Sequence, residues 1–332
     1  MKLKVAIIQI NSLLGQPQQN IKKVQSLLSN ISNNNSRFAD LVVFSELALT
    51  GYNFSSSLHI KPHLESITNY GVSLNFAKNL SIVHQCFTVI GYPEIFNGKI
   101  YNSAALFNRN GELIHNYRKT FLYETDEVWG CNENPVKGFP AIDVDFSRSN
   151  DKTPMLVTTN FGICMDLNPY KFEADFNEFE FSCSCYSSRS RLIICPMAWL
   201  SPKSPSTNTE LTEEEKIAEC KQIELPSNEP CQSTINYWIL RFFPFLTHKN
   251  SFMPKWWNKS DKVTVICCNR VGKEKDIVYG GSSCILQFLN NGIERSDLQV
   301  EYEGISQQNP SVLLLDTLSQ SEEGIILREI EL

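Results

Sequence analysis

The stretch Leu41-Val42-Val43-Phe44-Ser45-Glu46 is a short, uninterrupted apolar run that ends in a carboxylate. Runs of this length that are rich in Val are typical of strands buried on both faces. Similar runs occur at Val5 to Ile8, Val89 to Ile90, Leu192 to Cys195 and Val263 to Cys268. Apolar residues recur at helical spacing after Pro17 and from Val72 to Val83. This order of strands and helices predicts an α/β fold.

The Asn-Gly dipeptides at 110–111 and 291–292 indicate that the sheet is not wholly parallel. The segment Ala104 to Ile114 is typical of two strands joined by a tight turn at Asn110-Gly111. A similar pattern begins at Cys284 and ends at Asn291-Gly292. We therefore expect mixed sheets that contain both parallel and antiparallel strands.

The composition is that of an ordinary globular protein. Of 332 residues, 42% are hydrophobic and 20% are charged, and 36 acidic and 30 basic side chains give a net charge of −6. This balance argues against a general nucleic-acid-binding protein, because phosphate contacts need a basic surface. No apolar run is long enough to span a bilayer. We expect neither nucleic acid nor a membrane as a partner.

The 11 cysteines are scattered along a chain that begins directly with a predicted strand. An odd number of cysteines without a secretion signal indicates reduced thiols in a cytoplasmic protein. No transit peptide is evident, although the sequence leaves open whether a fraction of the molecules enters mitochondria. Neither Cys183 with Cys185 nor Cys267 with Cys268 has the spacing usual for zinc ligands. We expect no metal and no cofactor.

We predict a single domain over residues 1–332 with an insertion at about 201–260. Ser201 to Thr209 is rich in Ser and Pro, and Thr212 with Glu215 is a capping box that predicts a short acidic helix. Ile235 to Leu246 is aromatic and apolar. Two interpretations remain open: the insertion roofs a pocket, or it is an additional buried helix without a functional role.

One cysteine has neighbours that suggest chemistry. Cys164 lies between a predicted strand, Met155 to Thr159, and Asn168-Pro169, which is typical of a helix start. A thiol near a helix N-terminus has a lowered pKa, and backbone N–H groups there can bind an oxyanion. Inert packing is still the more common fate of a lone cysteine.

Two further strand ends favour a catalytic role for Cys164 over inert packing. Glu46 follows the apolar run quoted above, and Lys119 follows the hairpin at Asn110-Gly111. Each of the two, taken alone, is ordinarily a solvated surface residue. Glu, Lys and Cys in this order, each within its own local pattern, predict a catalytic site.

Three motifs surround these residues: Phe44-Ser45-Glu46 with Gly51-Tyr52, Arg118-Lys119-Thr120-Phe121-Leu122, and Gly162-Ile163-Cys164-Met165-Asp166. They resemble the catalytic segments of the nitrilase superfamily of carbon–nitrogen hydrolases, and the resemblance covers nearly the whole chain outside the insertion. It implies an α-β-β-α sandwich with two central sheets and a Glu46-Lys119-Cys164 triad. The further acidic residue of the family lies eight positions beyond its lysine, which is Glu127 here.

Two longer stretches narrow the resemblance. Lys119 to Cys131 and Cys164 to Glu173 resemble the fungal branch that deamidates N-terminal Asn and Gln to Asp and Glu with release of ammonia. That branch feeds the N-degron pathway, so the implied partners are Asn- or Gln-bearing N-termini and other components of the pathway. The alternatives are an amidase for free small-molecule amides or carbamoyl compounds, and a non-catalytic binding protein of the same fold. The presence of all three triad residues disfavours the last alternative.

The chemistry of amide hydrolysis suggests a role for each residue. We expect Cys164 to attack the amide carbon and Glu46 to move the protons. Lys119 and the backbone N–H of Met165 hold the oxyanion, and water then hydrolyses the thioester. Glu127 orients Lys119 or positions the substrate.

Recognition of an N-terminus requires a partner for its α-ammonium group, and a buried carboxylate is the natural one. Asp166 is the first candidate, although it could equally tie the turn at the cysteine to its neighbours. The other candidates are Asp126, Glu124 and Glu173 for the α-ammonium, and Tyr52, Trp129 and Trp199 for the pocket wall. A role in the core is an equal alternative for each of these aromatic residues.

Overall fold

Strands make up the centre of the computed structural model, which describes residues 2–31, 37–148, 154–246, 255–258, 260–290 and 311–332. The strands are β1 (Lys2–Gln9), β2 (Leu41–Phe44), β3 (Phe87–Phe96), β4 (Lys99–Phe107), β5 (Leu113–Arg118), β6 (Ile142–Asp145), β7 (Leu156–Phe161), β8 (Leu192–Pro196), β9 (Lys262–Cys268), β10 (Lys273–Glu274), β11 (Ile277–Val278), β12 (Cys284–Leu289), β13 (Val312–Thr317) and β14 (Gly324–Glu331). The helices are α1 (Pro17–Ser29), α2 (Ser57–Ile60), α3 (Val72–His84), α4 (Glu124–Val128), α5 (Glu180–Ser187), α6 (Glu213–Gln222) and α7 (Gln232–Arg241).

Two six-stranded sheets contain all of these strands except β10 and β11, which pair with each other. The first sheet has the order β14-β1-β2-β3-β4-β5, and the second has the order β13-β12-β9-β8-β7-β6. In the first sheet β2 is parallel to β1 and β3, and in the second β8 is parallel to β7 and β9. The other pairs are antiparallel. The predicted α/β fold with mixed sheets is confirmed.

The apolar runs are continuous because both faces of their strands are covered. Leu41 and Val43 pack in a core that is shared with the second sheet. Val42 and Phe44, which alternate with them, pack in a separate cluster with the apolar faces of α1 and α3. Apolar side chains of α5 and α7 are buried with the second sheet. The layers follow the order helix, sheet, sheet, helix, as expected.

The first sheet joins the two ends of the sequence. Strand β14 pairs with the whole of β1, from Lys2 opposite Glu331 to Gln9 opposite Gly324. The Gln9 side chain strengthens this junction, because its Nε2 donates to the carbonyl oxygens of Ser319 and Glu322 at 2.9 Å each. β1 thus has β2 on one side and the last strand on the other.

Two of the predicted turn and cap signals are confirmed. The hairpin at Asn110-Gly111 joins β4 to β5, and Gly111 has a φ of +74°, which favours glycine. The Thr212 side chain accepts a hydrogen bond from the N–H of Glu215 at the start of α6. The predicted turn at Asn291-Gly292 lies outside the described residues.

The predicted helix start at Asn168-Pro169 is wrong. A single 3₁₀ turn, Cys164–Leu167, follows β7 directly, and a second one covers Tyr170–Phe172. Lys171 and Phe172 have φ values of 53° and 55°, in the left-handed region, so a right-handed helix cannot continue through them. The α-helix that follows, α5, begins only at residue 180.

The segment 201–260 contains α6 and α7 within its described part. α7 is largely buried, and its apolar residues include Ile235, Trp238 and Ile239. Among the described residues, no helix combines the length and the apolar character that crossing a membrane requires.

Candidate active site

Glu46 lies immediately beyond β2 and is completely buried. Its Oε1 accepts hydrogen bonds from Lys119 Nζ and Asn102 Nδ2, each at 2.7 Å. Its Oε2 accepts the backbone N–H of Ala198 at 2.7 Å. The turn that carries Glu46 crosses β3 at Gly91, where a Cβ atom would lie 2.7 Å from Glu46 Cα. A glycine is therefore required at this crossing.

Lys119 follows β5, is buried, and is held between two carboxylates. Its Nζ donates to Glu46 at 2.7 Å and to Asp126 Oδ2 at 2.6 Å. Asn102 Nδ2 also donates to Asp126 Oδ1, at 2.9 Å. Glu46, Asn102, Lys119 and Asp126 therefore form a closed ring of buried hydrogen bonds, called here the polar ring. With both acids and the lysine ionised, the ring has a net charge of −1.

The ion pairs of the polar ring determine its protonation. Burial raises the pKa of Glu46, and the Lys119 ammonium and the Asn102 amide oppose that change. Burial alone would lower the pKa of Lys119, but Asp126 and Glu46 outweigh it and hold this pKa well above its usual value. Lys119 is therefore a permanent cation, and Glu46 is the member whose proton can be exchanged.

The acid beside Lys119 is Asp126 and not Glu127, which corrects the role expected for Glu127 as the residue that orients the lysine. Asp126 is the third residue of α4, and its carboxylate turns back to accept the backbone N–H of Tyr123 at 2.9 Å. Glu127 lies one residue further along the helix, about 100° around its axis. Its side chain is exposed and does not line the cavity described below.

Cys164 lies beyond the end of β7, at the start of the 3₁₀ turn. Its φ of 44° is in the left-handed region, which is uncommon for a residue with a side chain. The chain reaches this turn through Gly162, where a Cβ atom would lie 2.5 Å from the ring of Phe181. The cysteine is partly exposed and lines a cavity.

The structure reverses the expected direction of the cysteine pKa. Burial and the nearby Glu46 carboxylate raise the pKa of Cys164 well above its usual value. Lys119 and the N–H of Ala198 act in the opposite direction but do not outweigh them. The expectation failed because one 3₁₀ turn follows the cysteine instead of a helix, and because a carboxylate is its neighbour. The resting group is a thiol, so a base must remove its proton.

Asp166 is fully buried and makes four hydrogen bonds within the protein. Its donors are the backbone N–H groups of Thr120 (3.0 Å), Phe121 (2.7 Å) and Ile163 (2.7 Å) and the hydroxyl of Tyr117 (2.8 Å). Burial raises its pKa to about 6, and the donors oppose that change. Asp166 ties the turn at the cysteine to the segment after Lys119 and does not line the cavity. Of its two expected roles, the geometry supports the structural one.

A cavity of about 500 Å³ opens in front of Cys164. Its wall consists of Tyr52, Tyr123, Cys164, Met165, Asn168, Phe172, Ala198, Trp199, Leu200, Pro202, Thr207, Ser233, Thr234 and Tyr237. Four of these residues are exposed and form its rim: Phe172, Pro202, Thr207 and Ser233. None of these fourteen residues has a formally charged side chain, so no carboxylate of the described wall meets an α-ammonium group.

The remaining predicted residues are divided between the cavity, the core and the surface. Tyr52 and Trp199 line the cavity. Trp129 is buried in the same apolar cluster as Tyr52 but is not part of the wall. Glu124 and Glu173 are exposed and lie away from the wall.

The segment 201–260 supplies one side of the cavity. Tyr237 of α7 lines the wall, and its hydroxyl donates to Asn168 Oδ1 at 2.6 Å. Arg241, on the next turn of α7, donates through Nε to the carbonyl oxygen of Leu167 at 2.6 Å. α7 therefore contacts the last residue of the 3₁₀ turn at Cys164 (the cysteine turn) and the residue that follows it. The geometry favours the interpretation in which this segment covers a pocket.

Several site residues were not predicted from the sequence. Asn102 and Tyr237 have no local motif that distinguishes them, and Asn168 and Phe172 lie in the stretch after Cys164 but were given no role in the site. A signal was available for Asp126, because a carboxylate three residues after Tyr123 at the start of a helix is expected to turn back toward the chain. Within the described residues, no cluster of three or more His, Cys, Asp or Glu side chains is arranged to hold a metal ion.

Known proteins resemble this chain in both sequence and fold. Residues 4–163 match the model of the carbon–nitrogen hydrolase family. The chain is 33% identical to the protein N-terminal amidase of Saccharomyces cerevisiae, over 99% of this chain and 95% of that protein. It also aligns with crystal structures of an N-terminal amidase with a Gln-Gly peptide (TM-score 0.82) and with an Asn-Glu-Ala peptide (TM-score 0.83). In both alignments the identity is 32%, and 99% of this chain and 97% of the other are covered.

Proposed function

Since the chain belongs to the carbon–nitrogen hydrolase family and, within it, to the protein N-terminal amidases, we propose that it deamidates the N-terminal Asn and Gln residues of proteins and peptides. The products are N-terminal Asp or Glu and ammonia. The observation that carries this proposal is the full-length match to an amidase crystallised with both Gln and Asn peptides. The cysteine at the cavity, with a buried Glu-Lys pair behind it, supports the same reaction.

The acylation step follows from the resting protonation of the site. Cys164 is a thiol, and Glu46 is the exchangeable base of the polar ring. As sulfur attacks the side-chain amide carbon, Glu46 takes the thiol proton. The C–N bond then breaks, Glu46 gives this proton to the leaving nitrogen, and ammonia departs from a Cys164 thioester.

The oxyanion formed during the attack needs positive charge close to the cavity. Lys119 has three N–H donors, and two of them are bound to Glu46 and Asp126, so the third is left for the substrate oxygen. The backbone N–H of Met165, next to the nucleophile, is the second donor in this scheme. One donor of this kind contributes roughly 10²–10³ in rate.

Deacylation uses the same base. Water enters after ammonia has left, Glu46 takes its proton, and the resulting hydroxide attacks the thioester carbon. The C–S bond breaks, and the proton returns to sulfur, which restores the Cys164 thiol. No residue outside the polar ring and the cysteine turn is needed for the proton balance.

The substrate ammonium group enters a cavity with a neutral wall. We assign its recognition to neutral oxygen atoms of the wall, which include those of Asn168 and Thr234. The net charge of −1 on the polar ring adds a favourable long-range field, since this charge is buried and weakly screened. This arrangement replaces the carboxylate contact expected from the sequence.

The cellular setting is part of the proposal. All eleven cysteines are free thiols in the structure, which agrees with a reducing compartment. We place the protein in the cytoplasm, where newly exposed N-terminal Asn and Gln residues are its substrates. Other components of the N-degron pathway then act on the acidic N-termini that it produces.

Ammonia release from matched peptides tests this function. The peptides differ only in the first residue, Asn, Gln or Ala, and each is made with a free and with an acetylated N-terminus. We expect ammonia from the free Asn and Gln peptides alone. Equal turnover of the acetylated peptides, or of free asparagine and glutamine, would indicate a general small-molecule amidase. Cys183→Ala is the matched control for Cys164→Ala, because Cys183 is a partly exposed thiol outside the cavity wall.

A further inference from the structure

We propose that Asn102 is a positioning residue for catalysis, whose single side-chain amide holds Glu46 and Asp126 on either side of Lys119. This inference deepens the proposed function, since it concerns the reaction carried out at the same site. Asn102 lies on β4, next to the strand that leads into Lys119, and is completely buried. No other residue of the polar ring donates through a neutral group.

The geometry of the amide is specific. Its Nδ2 donates to Glu46 Oε1 at 2.7 Å and to Asp126 Oδ1 at 2.9 Å. Its backbone oxygen accepts the N–H of Lys119 at 2.8 Å. One residue thus contacts the other three members of the polar ring, and it does so through both its side chain and its backbone.

The side-chain oxygen of Asn102 indicates that the two acids impose this orientation of the amide. Asn102 Oδ1 is buried and has no hydrogen-bond partner among the described residues. A buried acceptor without a donor reduces stability. A flipped amide would instead direct this oxygen at two carboxylates, which is worse. The amide is therefore locked with both N–H groups toward Glu46 and Asp126.

Asn102 acts on both the base, Glu46, and the oxyanion donor, Lys119. Two carboxylates share one ammonium group, and the amide dipole offsets part of their repulsion. Burial raises the pKa of Glu46, and the hydrogen bond from Asn102 acts with Lys119 in the opposite direction, toward the ionised base. Because both acids are fixed, the two N–H groups of Lys119 that donate to them are also fixed. The third N–H group is then left for the substrate oxygen.

The decisive variants are Asn102→Ala, which removes both donors, and Asn102→Ser, which keeps one. For Asn102→Ala we expect kcat for an Asn-initiated peptide to fall about 100-fold while KM changes less than threefold. The acidic limb of its pH profile should move to higher pH, because Glu46 without the amide holds its proton more tightly. Asn102→Ser should lie between the wild type and Asn102→Ala.

Asn160→Ala is the matched control. Asn160 is also a buried strand asparagine, but it donates to the carbonyl oxygen of Phe139 at 2.8 Å and does not contact the polar ring. We expect this variant to lose thermal stability without any movement of the acidic limb. A purely structural role for Asn102 predicts the same behaviour for Asn102→Ala, and that result would overturn the proposal.

A second readout does not depend on the substrate. The pH dependence of Cys164 alkylation by iodoacetamide reports the charge of Glu46 even if Asn peptides are not turned over. A shifted alkylation limb in Asn102→Ala supports the proposal, and a wild-type limb refutes it. If Asn102→Ala does not fold, the alkylation limb of Asn102→Ser is measured instead, and a shifted or a wild-type limb is interpreted in the same way. Failure of the proposed function is seen separately, as a wild-type protein that alkylates normally but releases no ammonia.

Discussion

The polar ring behind Cys164 and the cavity wall in front of it differ in charge, burial and position along the chain. The four ring residues are fully buried, three of them are charged, and all lie within residues 46–126. The wall is uncharged, and twelve of its fourteen residues lie within 164–237. Phe172 on its rim is 58% exposed.

In the proposed function, this difference separates reaction chemistry from substrate choice. Each ring member is held by ionic hydrogen bonds to its neighbours, so substitution in the ring should change kcat. The wall depends on the 3₁₀ turns and on α7, so its substitution should change KM.

Removal of the nucleophile should have the largest effect. Cys164→Ala has no sulfur for thioester formation, so we expect ammonia release from an Asn peptide to fall to background. Peptide affinity should be retained, because the wall is unchanged. Isothermal titration and an ammonia assay measure the two quantities, and substantial turnover by Cys164→Ala would refute the mechanism.

Loss of the base should be the next largest effect. Glu46→Gln cannot accept the thiol proton, and we expect kcat to fall about 10²- to 10⁴-fold. Mass spectrometry of a rapidly quenched reaction should show slower formation of the thioester. Glu65→Gln is the control, because Glu65 is a buried carboxylate whose partners are the N–H groups of Ser73 and Leu74. If both variants lose the same activity, Glu46 has no special role.

Asp166 should affect stability more than selectivity. Asp166→Ala leaves buried donors without an acceptor at about 1–3 kcal/mol each, so we expect the free energy of unfolding to fall by at least about 3 kcal/mol. Urea unfolding measures this loss, and the exposed Asp143→Ala variant should stay within about 0.5 kcal/mol of the wild type. A stable Asp166→Ala protein with a raised KM for free N-termini alone would instead restore its role in ammonium binding.

The pH profile of kcat/KM should report the protonation of Glu46 in the polar ring. Protonated Glu46 cannot accept the thiol proton, so kcat/KM should fall as pH decreases, by about tenfold per unit. Burial raises the pKa of Glu46, so the fall should begin above 4.5, the ordinary value for a glutamate. Circular dichroism at each pH confirms that the protein is folded. A profile that stays flat down to pH 4.5 would contradict the assigned base.

Tyr237→Phe should have the smallest effect and should act on the wall. It removes the hydrogen bond to Asn168, which is worth about 0.5–1.5 kcal/mol, so we expect KM for an Asn peptide to rise roughly twofold to tenfold. The value of kcat should be unchanged. Tyr186→Phe is the control, because the Tyr186 hydroxyl has no partner among the described residues. A loss confined to kcat would show that wall and ring are coupled.

Much of this molecule could be predicted from local sequence. The strands and the hairpin follow from apolar runs and an Asn-Gly turn, which are short-range signals. Glu46, Lys119 and Cys164 could be identified because each lies at a strand end within its own motif. These features depend on residues that are close in the chain.

The features that could not be predicted depend on packing between distant segments. The choice of Asp126 over Glu127 depends on which side of a short helix faces Lys119. The raised pKa of Cys164 depends on its burial and on Glu46, a residue more than a hundred positions earlier. The neutral wall combines the cysteine turn with α7, and no local pattern connects these two segments.

The pairing of β1 with β14 has a consequence for the order in which this protein can fold. A ribosome that has released β1 to α4 has released every residue of the polar ring. The sheet that positions this ring still lacks the strand at 324–331, which covers β1 along its whole length. Contacts over such a separation form late and slowly. In a nascent chain, the sheet around the polar ring therefore stays incomplete until β14 has emerged and has paired with β1.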